Sequence, residues 1–280
     1  MPLPAEFVPT SYGLAAVFAW GTSDFLGGYA TRRANAFLLT SLAHASGLSL
    51  MLLLAFRTAA FPSPPSRLWA MVGGMSGGGA LAIFYRALAV GRMGVVAPVA
   101  AVLGAAIPAI VIMFTQGPPG LVRLAGFVTA VVGIWLISGS EDGRGPEGIG
   151  LAVLAGVGFA GFFLGISQAK DGSAQWLAAF SRCGSLLVTG SVVLFERKFR
   201  EMSSASARWG LLAGCLDTSG TAFFVCATQT GRLDAAVVLT SLYPAVTVLL
   251  ARLVLHEHFT RRKALGMVAA LLAVPLIARR

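Results

Sequence analysis

The chain is poor in charged residues and in cysteine, and each shortage excludes a class of protein. Only 11% of its 280 residues are charged, whereas soluble domains carry about 25%. With 56% hydrophobic residues and a mean hydropathy of +0.80, no soluble core would absorb the apolar surface. Cys183, Cys215 and Cys226 all fall inside apolar runs, without the spacing of a metal site or disulfide framework, so we expect small buried hydrophobic residues. The composition predicts an integral membrane protein.

Other absences exclude particular cofactors, energy sources and partners. The sequence contains no phosphate-binding loop of the P-loop type and no metal-ligand cluster, so we expect no cofactor and no ATP-driven step in this chain. No Lys or Arg occurs in residues 1–11, and we therefore expect no cleaved signal peptide. The net charge of +10 is carried mostly by short clusters between apolar runs, as at membrane interfaces. We expect membrane lipid as a partner, and no nucleic acid.

Ten apolar runs are each long enough to cross a bilayer as a helix, which takes roughly 20 residues. The sequence therefore predicts an all-α polytopic membrane protein with ten transmembrane helices. The predicted spans are 10–30, 36–56, 68–90, 94–115, 120–139, 148–168, 174–195, 206–229, 234–255 and 262–278. The connections between them are short, leaving no room for a folded domain outside the membrane.

The two halves of the chain resemble each other. A shift of 140 residues aligns Trp69 with Trp209, Gly74 with Gly214, Ala82 with Ala222, Phe84 with Phe224, Ala87 with Ala227, and Gly126 with Gly266. A shift of 137 places Gly13-Leu14-Ala15 on Gly150-Leu151-Ala152. We predict two five-helix repeats, residues 1–140 and 141–280. Because five is odd, the second repeat is inverted, an arrangement by which many secondary transporters obtain two interchangeable gates.

Lys and Arg are unevenly shared between the two ends of the predicted helices. If the termini share a side, that side carries Arg57, Arg67, Arg123, Lys170, Arg232, Arg279 and Arg280. The opposite side, called the basic side below, carries Arg32, Arg33, Arg92, Arg144, Arg197, Lys198, Arg200, Arg208, Arg261, Arg262 and Lys263. The positive-inside rule then predicts that the basic side is cytoplasmic and the termini are outside.

The repeated motifs resemble a known family. Gly91-Arg92-Met93 and Gly231-Arg232-Leu233 each open an apolar run, and Leu242-Tyr243-Pro244 is followed by Leu255-His256-Glu257 and Gly266. Together these are similar to the signature of EamA-type members of the drug/metabolite transporter superfamily. The resemblance covers nearly the whole chain, although Gly117 stands where the second half has Glu257. It implies two five-helix bundles around a central cavity, and exported solutes that include amino acids, other metabolites and drugs.

Two acidic residues, Asp24 and Asp217, lie deep inside predicted spans. An acid at the centre of a span costs about 2.5–3.5 kcal/mol on insertion scales, so it faces a cavity, pairs with another group or is protonated. Each aspartate is a candidate for binding a substrate ammonium group or a proton. Alternatively, Asp24 hydrogen-bonds to Thr22 or Ser23, or reaches water near the interface.

Other polar and aromatic residues complete the candidate substrate site. Arg182, in the seventh span, would either hold a substrate carboxylate by a bidentate pair or act as the counter-ion of one aspartate. His44, in the second span, is either a substrate contact or a satisfied core histidine. The remaining candidates are cavity walls or plain packing residues: Trp20, Tyr85, Arg86, Gln229 and Tyr243.

Intramembrane proteolysis is the alternative from a different class. Gly74-Met75-Ser76-Gly77 matches the GxSG pattern of intramembrane serine proteases, and Asp24 with Asp217 would form an aspartyl pair. The one histidine within a span, His44, precedes Ser76, whereas that protease family supplies its base from a later helix. Neither aspartate has the Tyr-Asp or Gly-x-Gly-Asp context. We therefore do not expect an enzyme.

The sequence favours a secondary transporter of the inner (plasma) membrane that exports amino acids or related small metabolites by alternating access. We expect a small-molecule substrate, a functional monomer, and a central site lined by the first, third, fourth, sixth, eighth and ninth spans. A multidrug or organic-cation exporter is the alternative within transport. Paired acidic and basic groups would favour zwitterions, whereas an aspartate with aromatics and no arginine would favour cations.

Overall fold

The computed structural model describes residues 8–57, 60–116, 120–138, 147–197, 202–230, 240, 242–257 and 260–278. The described residues form ten helices, numbered here in chain order. They are α1 (Val8–Thr31), α2 (Ala36–Ala55), α3 (Pro64–Val90), α4 (Met93–Gln116), α5 (Leu121–Ser138), α6 (Ile149–Ile166), α7 (Ala174–Glu196), α8 (Ser204–Thr230), α9 (Tyr243–Val254) and α10 (Arg261–Ala278). The predicted all-α class is confirmed.

The predicted spans agree closely with these helices, and the differences have local causes. The third helix begins at Pro64 rather than at 68 because prolines fit the first helical positions, whose N–H groups have no partner in any helix. The ninth is described as helix only from Tyr243, and residues 234–239 of its predicted range lie outside the described residues. Cys183, Cys215 and Cys226 are free and partly exposed, not fully buried as predicted.

The outer surface is suited to lipid. Five helices, α2, α3, α6, α7 and α8, are long and apolar enough to cross a bilayer, and α4, α5 and α9 contain shorter apolar segments. Large apolar side chains are exposed on several helices, among them Leu53, Leu121, Trp135 and Phe195. An exposed apolar surface of this extent is covered by a bilayer. The chain is a multi-pass membrane protein.

The helices pack in a crossed pattern. α1 lies mainly on α8, and α3 packs about equally on α6 and α7. α2 contacts both α7 and α8, while α7 contacts both α2 and α3, and α5 pairs with α10. Two helix groups result: the α1 group (α1, α2, α8 and α9) and the α3 group (α3, α4, α6 and α7). The groups meet along α2 and α7, where α3 contacts α1 and α2, where α7 contacts α8, and where α9 contacts α4.

Glycines set the closest helix approaches. A Cβ added at Gly74 of α3 would overlap the carbonyl of Ser181 on α7, and one added at Gly214 of α8 would overlap the carbonyl of Ala43 on α2. Small residues at such positions let membrane helices approach closely. By contrast, Gly190 of α7 has open space around it.

At the basic side, the turn between α1 and α2 contacts the segment between α7 and α8. Ala34 and Met202 form an isolated antiparallel bridge. The amide of Asn35 donates to the carboxylate of Glu196 at 3.4 Å, and the side-chain oxygen of Asn35 also caps α2 by accepting from the N–H of Leu38. One short turn therefore both starts α2 and ties it to the end of α7.

At the opposite side, the turn between α6 and α7 contacts the segment between α2 and α3. The N–H of Ser173 donates to the carbonyl of Ala60 at 2.9 Å, and its hydroxyl caps α7. The N–H of Ser63 donates to the carboxylate of Asp171 at 2.9 Å. Hydrogen bonds from Ser66 and then Ser63 hold the pKa of Asp171 below its ordinary value, so this tie is kept at neutral pH.

Candidate functional site

A cavity lies between the two helix groups at the mid-depth of the bundle. Its lining comes from α1, α3, α6, α7, α8 and α9. The lining residues are Trp20, Asp24, Gly77, Leu81, Phe159, Phe162, Phe163, Arg182, Ser185, Asp217, Thr221 and Tyr243. The space open to the centre of a water molecule is about 60 Å³, enough for a few waters. We call it the central cavity.

The helices that line the central cavity differ from the prediction at one place. α7 contributes Arg182 and Ser185, although the seventh span was not expected to line the site. None of the described residues of α4, which was expected there, lines the cavity. The reason is the packing of α4 against α6 and α10, which keeps it behind the cavity wall.

Arg182 is the centre of a buried polar cluster. Its Nη1 lies 2.8 Å from Oδ2 of Asp217 and 3.2 Å from Nδ1 of His44. Its Nη2 donates to the hydroxyl of Thr221 at 2.9 Å. All four side chains are buried. Of the two alternatives for Arg182, the structure has it as the counter-ion of Asp217, while Nε of Arg182 has no hydrogen-bond partner among the described groups.

Asp24 is the second acidic group of the central cavity, and it differs from Asp217 in its partners. It is 5% exposed and lines the cavity, but no described residue donates a hydrogen bond or forms an ion pair with its carboxylate. The neighbouring Ser23 does not serve this role, because its hydroxyl donates to the carbonyl of Ala213 at 2.8 Å. The carboxylate of Asp24 is therefore available to a ligand.

Aromatic side chains form much of the remaining wall. The indole N–H of Trp20 donates to the backbone carbonyl of Asp217 at 3.1 Å, which fixes α1 against α8. Trp20 also packs edge-on against Tyr243, with ring centroids 5.9 Å apart. Both residues line the central cavity. Each is therefore both a packing residue and part of the cavity wall.

Three candidate residues, His44, Tyr85 and Arg86, do not line the central cavity. His44 supports Arg182 but does not itself line the central cavity, and Tyr85 is fully buried, with its hydroxyl 3.1 Å from that of Ser23. Gln229 belongs to α8, but its side chain lies outside the described residues. Arg86, one residue beyond Tyr85, lines a different cavity.

Sequence reasoning missed several lining residues that helical spacing would have found. Thr221 follows Asp217 by four residues, and Ser185 follows Arg182 by three, so each pair lies on one helix face. Phe159 and Phe163 are four residues apart on α6 and also share one helix face. The apolar members gave no signal of their own, because phenylalanines in a span are equally consistent with packing.

Glu257 also has a defined position that the sequence left open. Its carboxylate accepts hydrogen bonds from the N–H groups of Met93 at 3.1 Å and Gly94 at 3.3 Å, the first residues of α4. Arg32 lies 4.0 Å away. A negative charge at a helix N-terminus is favourable. Glu257 thus joins the end of α9 to the start of α4, at the basic side and across the boundary between the helix groups.

The protease alternatives do not match the geometry. The hydroxyl of Ser76 donates to the carbonyl of Gly158 at 2.8 Å, and His44 contacts Arg182 instead, so among the described residues no base is placed to activate the serine. Asp217 is paired with Arg182, and the described hydrogen bonds include none between it and Asp24. Within the described ranges, no group of three or more His, Cys, Asp or Glu side chains is arranged to hold a metal ion.

Comparison with known proteins agrees with the fold. A crystal structure described only as "Crystal structure of protein" superposes with a TM-score of 0.62 at 17% identity, covering 96% of this chain and 95% of that chain; at this identity the likeness concerns the fold alone. No curated protein matches the chain. The model of the EamA-like transporter family matches residues 146–279, which confirms the family resemblance for that part. Residues 146–279 form a domain of the EamA-like transporter family, part of the drug/metabolite transporter superfamily and a family of transporters, not of enzymes.

Proposed function

We propose that this protein is a secondary transporter of the inner (plasma) membrane that exports amino acids or related small metabolites by alternating access. The observation that carries the proposal is the composition of the central cavity. An acid without a described partner, Asp24, shares the cavity with an arginine that is already paired, Arg182. Both lie in the membrane-spanning bundle, where ionisable residues mark substrate pathways.

The proposed binding mode uses both ends of a zwitterion. The carboxylate of Asp24 binds the substrate ammonium group, with Trp20 and Tyr243 beside it as aromatic walls. The guanidinium of Arg182 binds the substrate carboxylate, since it carries five N–H donors in a fixed fork. One of these, Nε, lacks a described partner, so Arg182 retains donor capacity for a second carboxylate.

We also propose that residues 1–140 and 141–280 are inverted repeats. The packing pattern supports this, because exchanging each helix with the one five places along converts the α1–α8 pair into the α6–α3 pair. The same exchange converts the contact of Gly74 with Ser181 into that of Gly214 with Ala43. The caps agree as well, since α2 and α7 are each started by a side chain in a short turn.

Alternating access then follows from the two helix groups. The α1 group and the α3 group face each other across the central cavity and meet along α2 and α7. We propose that the groups rock about this contact, opening the cavity first to one side and then to the other. One chain supplies both groups and all the described lining residues of the central cavity, and we propose that the monomer is the functional unit.

The direct test is flux through purified protein in liposomes. Labelled amino acids are compared with the corresponding amines that lack the carboxylate, with and without a pH gradient. We expect saturable amino-acid flux that falls about tenfold or more in Asp24→Asn, because a hydrogen bond to a charged group contributes about 1.5–3 kcal/mol. Glu147→Gln, which removes an exposed acid outside the central cavity, is the control and should keep full flux.

The alternative, an organic-cation exporter, is favoured by one observation. Asp217 already compensates the charge of Arg182, which leaves Asp24 and the aromatic residues as the free recognition groups. If amines are carried as well as their amino acids, this alternative replaces the main proposal. If neither is carried, the assignment to amino-acid-like substrates is wrong.

A further inference from the structure

A second and larger cavity opens at the basic side of the protein. Its volume is about 620 Å³, roughly tenfold that of the central cavity. It lies among the α1–α2 turn, the last turns of α3, the start of α6 and the end of α7. We call it the basic vestibule. The lining residues used below are Arg33, Arg86, Asn35, Glu196, Ile83 and Leu151.

The charge of the basic vestibule is positive. Arg33 and Arg86 are both exposed, and neither guanidinium has an ion-pair partner among the described residues. Glu196, the one acid among the described lining residues, accepts a hydrogen bond from Asn35 at 3.4 Å. Two guanidinium groups therefore face one carboxylate that is already engaged. Guanidinium groups bind carboxylates and phosphates by paired N–H donors.

The vestibule also has an apolar wall, formed by Ile83 of α3 and Leu151 of α6 among others. A cavity of several hundred Å³ that combines apolar walls with a few placed polar groups has the size and character of a small-molecule site. Its position near the end of α3 places the arginines at headgroup level, since Arg86 lies one helical turn before Val90.

The basic vestibule and the central cavity share no lining residue, although on α3 their linings are adjacent, at Leu81 and Ala82. On α6, Leu151 of the vestibule and Phe159 of the central cavity are eight residues apart, which is about 12 Å along a helix. Phe84, which precedes Arg86 on α3, packs edge-on against Phe159 with centroids 5.3 Å apart. A ligand in the vestibule would therefore not contact Asp24 or Arg182.

We propose that the basic vestibule is a second ligand site that binds an anionic group, a carboxylate or a phosphate, carried on a short apolar body. Arg33 and Arg86 bind the anion, and the Ile83–Leu151 wall contacts the apolar part. The anion comes either from a soluble organic acid or from the headgroup of an anionic lipid. The proposal does not depend on which solute the central cavity carries.

The test uses the full chain in nanodiscs of neutral phosphatidylcholine. One arm titrates hexanoate and inorganic phosphate and measures binding by calorimetry. The other arm introduces phosphatidylglycerol and counts retained lipids by native mass spectrometry. We expect binding in at least one arm, weakened about tenfold or more when both arginines are replaced by glutamine (Arg33→Gln with Arg86→Gln), because two charge-assisted contacts are lost.

Two further variants separate a built site from surface charge. Arg208→Gln removes one positive charge on the same side without touching the vestibule lining, and it should leave binding unchanged. Ile83→Trp fills the vestibule without changing its charge, and it should weaken binding. Thermal unfolding of each variant verifies the fold. The proposal is overturned if neither arm shows binding, if Arg208→Gln weakens binding as much as the double variant does, or if the double variant binds normally.

Discussion

The ion pair of Arg182 with Asp217 lies inside the bundle, with N–O separation 2.8 Å. Removing two charges from water is expensive, and their attraction compensates only when the geometry is good and further hydrogen bonds are made. His44 and Thr221 supply those further contacts. The pair is therefore a poor source of stability by itself, and its position in the cavity points to recognition.

Replacing one partner of this pair is predicted to lower the free energy of unfolding much more than replacing both. Arg182→Gln leaves Asp217 buried without its counter-ion, and we expect a loss of about 3–5 kcal/mol in the free energy of unfolding. The double variant Arg182→Gln with Asp217→Asn should recover most of that loss. Denaturant unfolding in detergent micelles measures both, and transport of the folded double variant should remain abolished.

Additive losses in the double variant would show that the two side chains do not act as a pair. Full transport by the double variant would show that neither group contacts the substrate, whatever its effect on stability.

Asp24 is predicted to behave in the opposite way. Because no described residue pairs with its carboxyl group, Asp24→Asn replaces a buried acid without leaving a partner unsatisfied. We expect its stability to be unchanged or slightly higher than that of the native chain while transport falls. Thermal unfolding and flux, measured on the same preparation, test this prediction. A marked destabilisation would mean that Asp24 has a structural partner.

Among the helices, the glycines at the crossings of α3 with α7 and of α8 with α2 make the strongest prediction. Gly74→Ala and Gly214→Ala each force a methyl group against a backbone carbonyl that a rotamer change cannot move, and we expect each to destabilise by about 1–3 kcal/mol. Gly190→Ala, with open space around it, should stabilise by about 0.5–1 kcal/mol through helix propensity. Unfolding free energies of the three variants test this.

If Gly74→Ala and Gly214→Ala are as harmless as Gly190→Ala, the helices are less closely packed than described. Unequal effects at Gly74 and Gly214 would count against the equivalence of the two crossings under the proposed repeat.

The hydrogen bonds between Glu257 and the start of α4 connect two helices. The first half of the chain has Gly117 at the position corresponding to Glu257. Glu257→Gln keeps the shape of the side chain but loses its charge, and we expect a loss of about 0.3–1 kcal/mol in the free energy of unfolding, the usual size of a helix-terminus interaction. Arg32→Gln is the control, because its 4.0 Å contact to Glu257 is partly exposed and such pairs contribute little. A larger loss in Arg32→Gln than in Glu257→Gln would contradict the capping role.

At the scale of the whole molecule, rocking of the two helix groups predicts that a cross-link at either side of the bundle stops transport. Bridge partners such as Ala34 and Met202 have Cα atoms about 4.5–5.5 Å apart, within the range for a disulfide. After the native cysteines are replaced, Ala34→Cys with Met202→Cys, and Ala60→Cys with Ser173→Cys, should each form a disulfide. We expect each disulfide to block flux, and a reductant to restore it.

Undiminished flux in both oxidised proteins would show that these segments stay together throughout the cycle, and rocking would then have to occur elsewhere. A block at one side alone would locate the moving gate.

The helices were predictable because bilayer thickness fixes the length of an apolar run, and the predicted limits of α2, α4 and α7 differ from the observed ones by a residue or so. The acids of the site were predictable for a related reason, since Asp24 and Asp217 stand out in apolar sequence. The partner of Arg182 was not, because two aspartates were equally available to it in the sequence. Lining residues such as Phe159 carry no sequence signal that separates a cavity wall from packing.

By itself the sequence determined the membrane environment, the helices that the structure describes and the polar groups placed inside them, because the cost of burying charge and backbone in lipid acts on each segment alone. The tertiary structure decided that Arg182 pairs with Asp217 and leaves Asp24 open, that α7 lines the central cavity in place of α4, and that Arg33 and Arg86 share a vestibule. These depend on contacts between helices distant in the chain, which no single segment encodes.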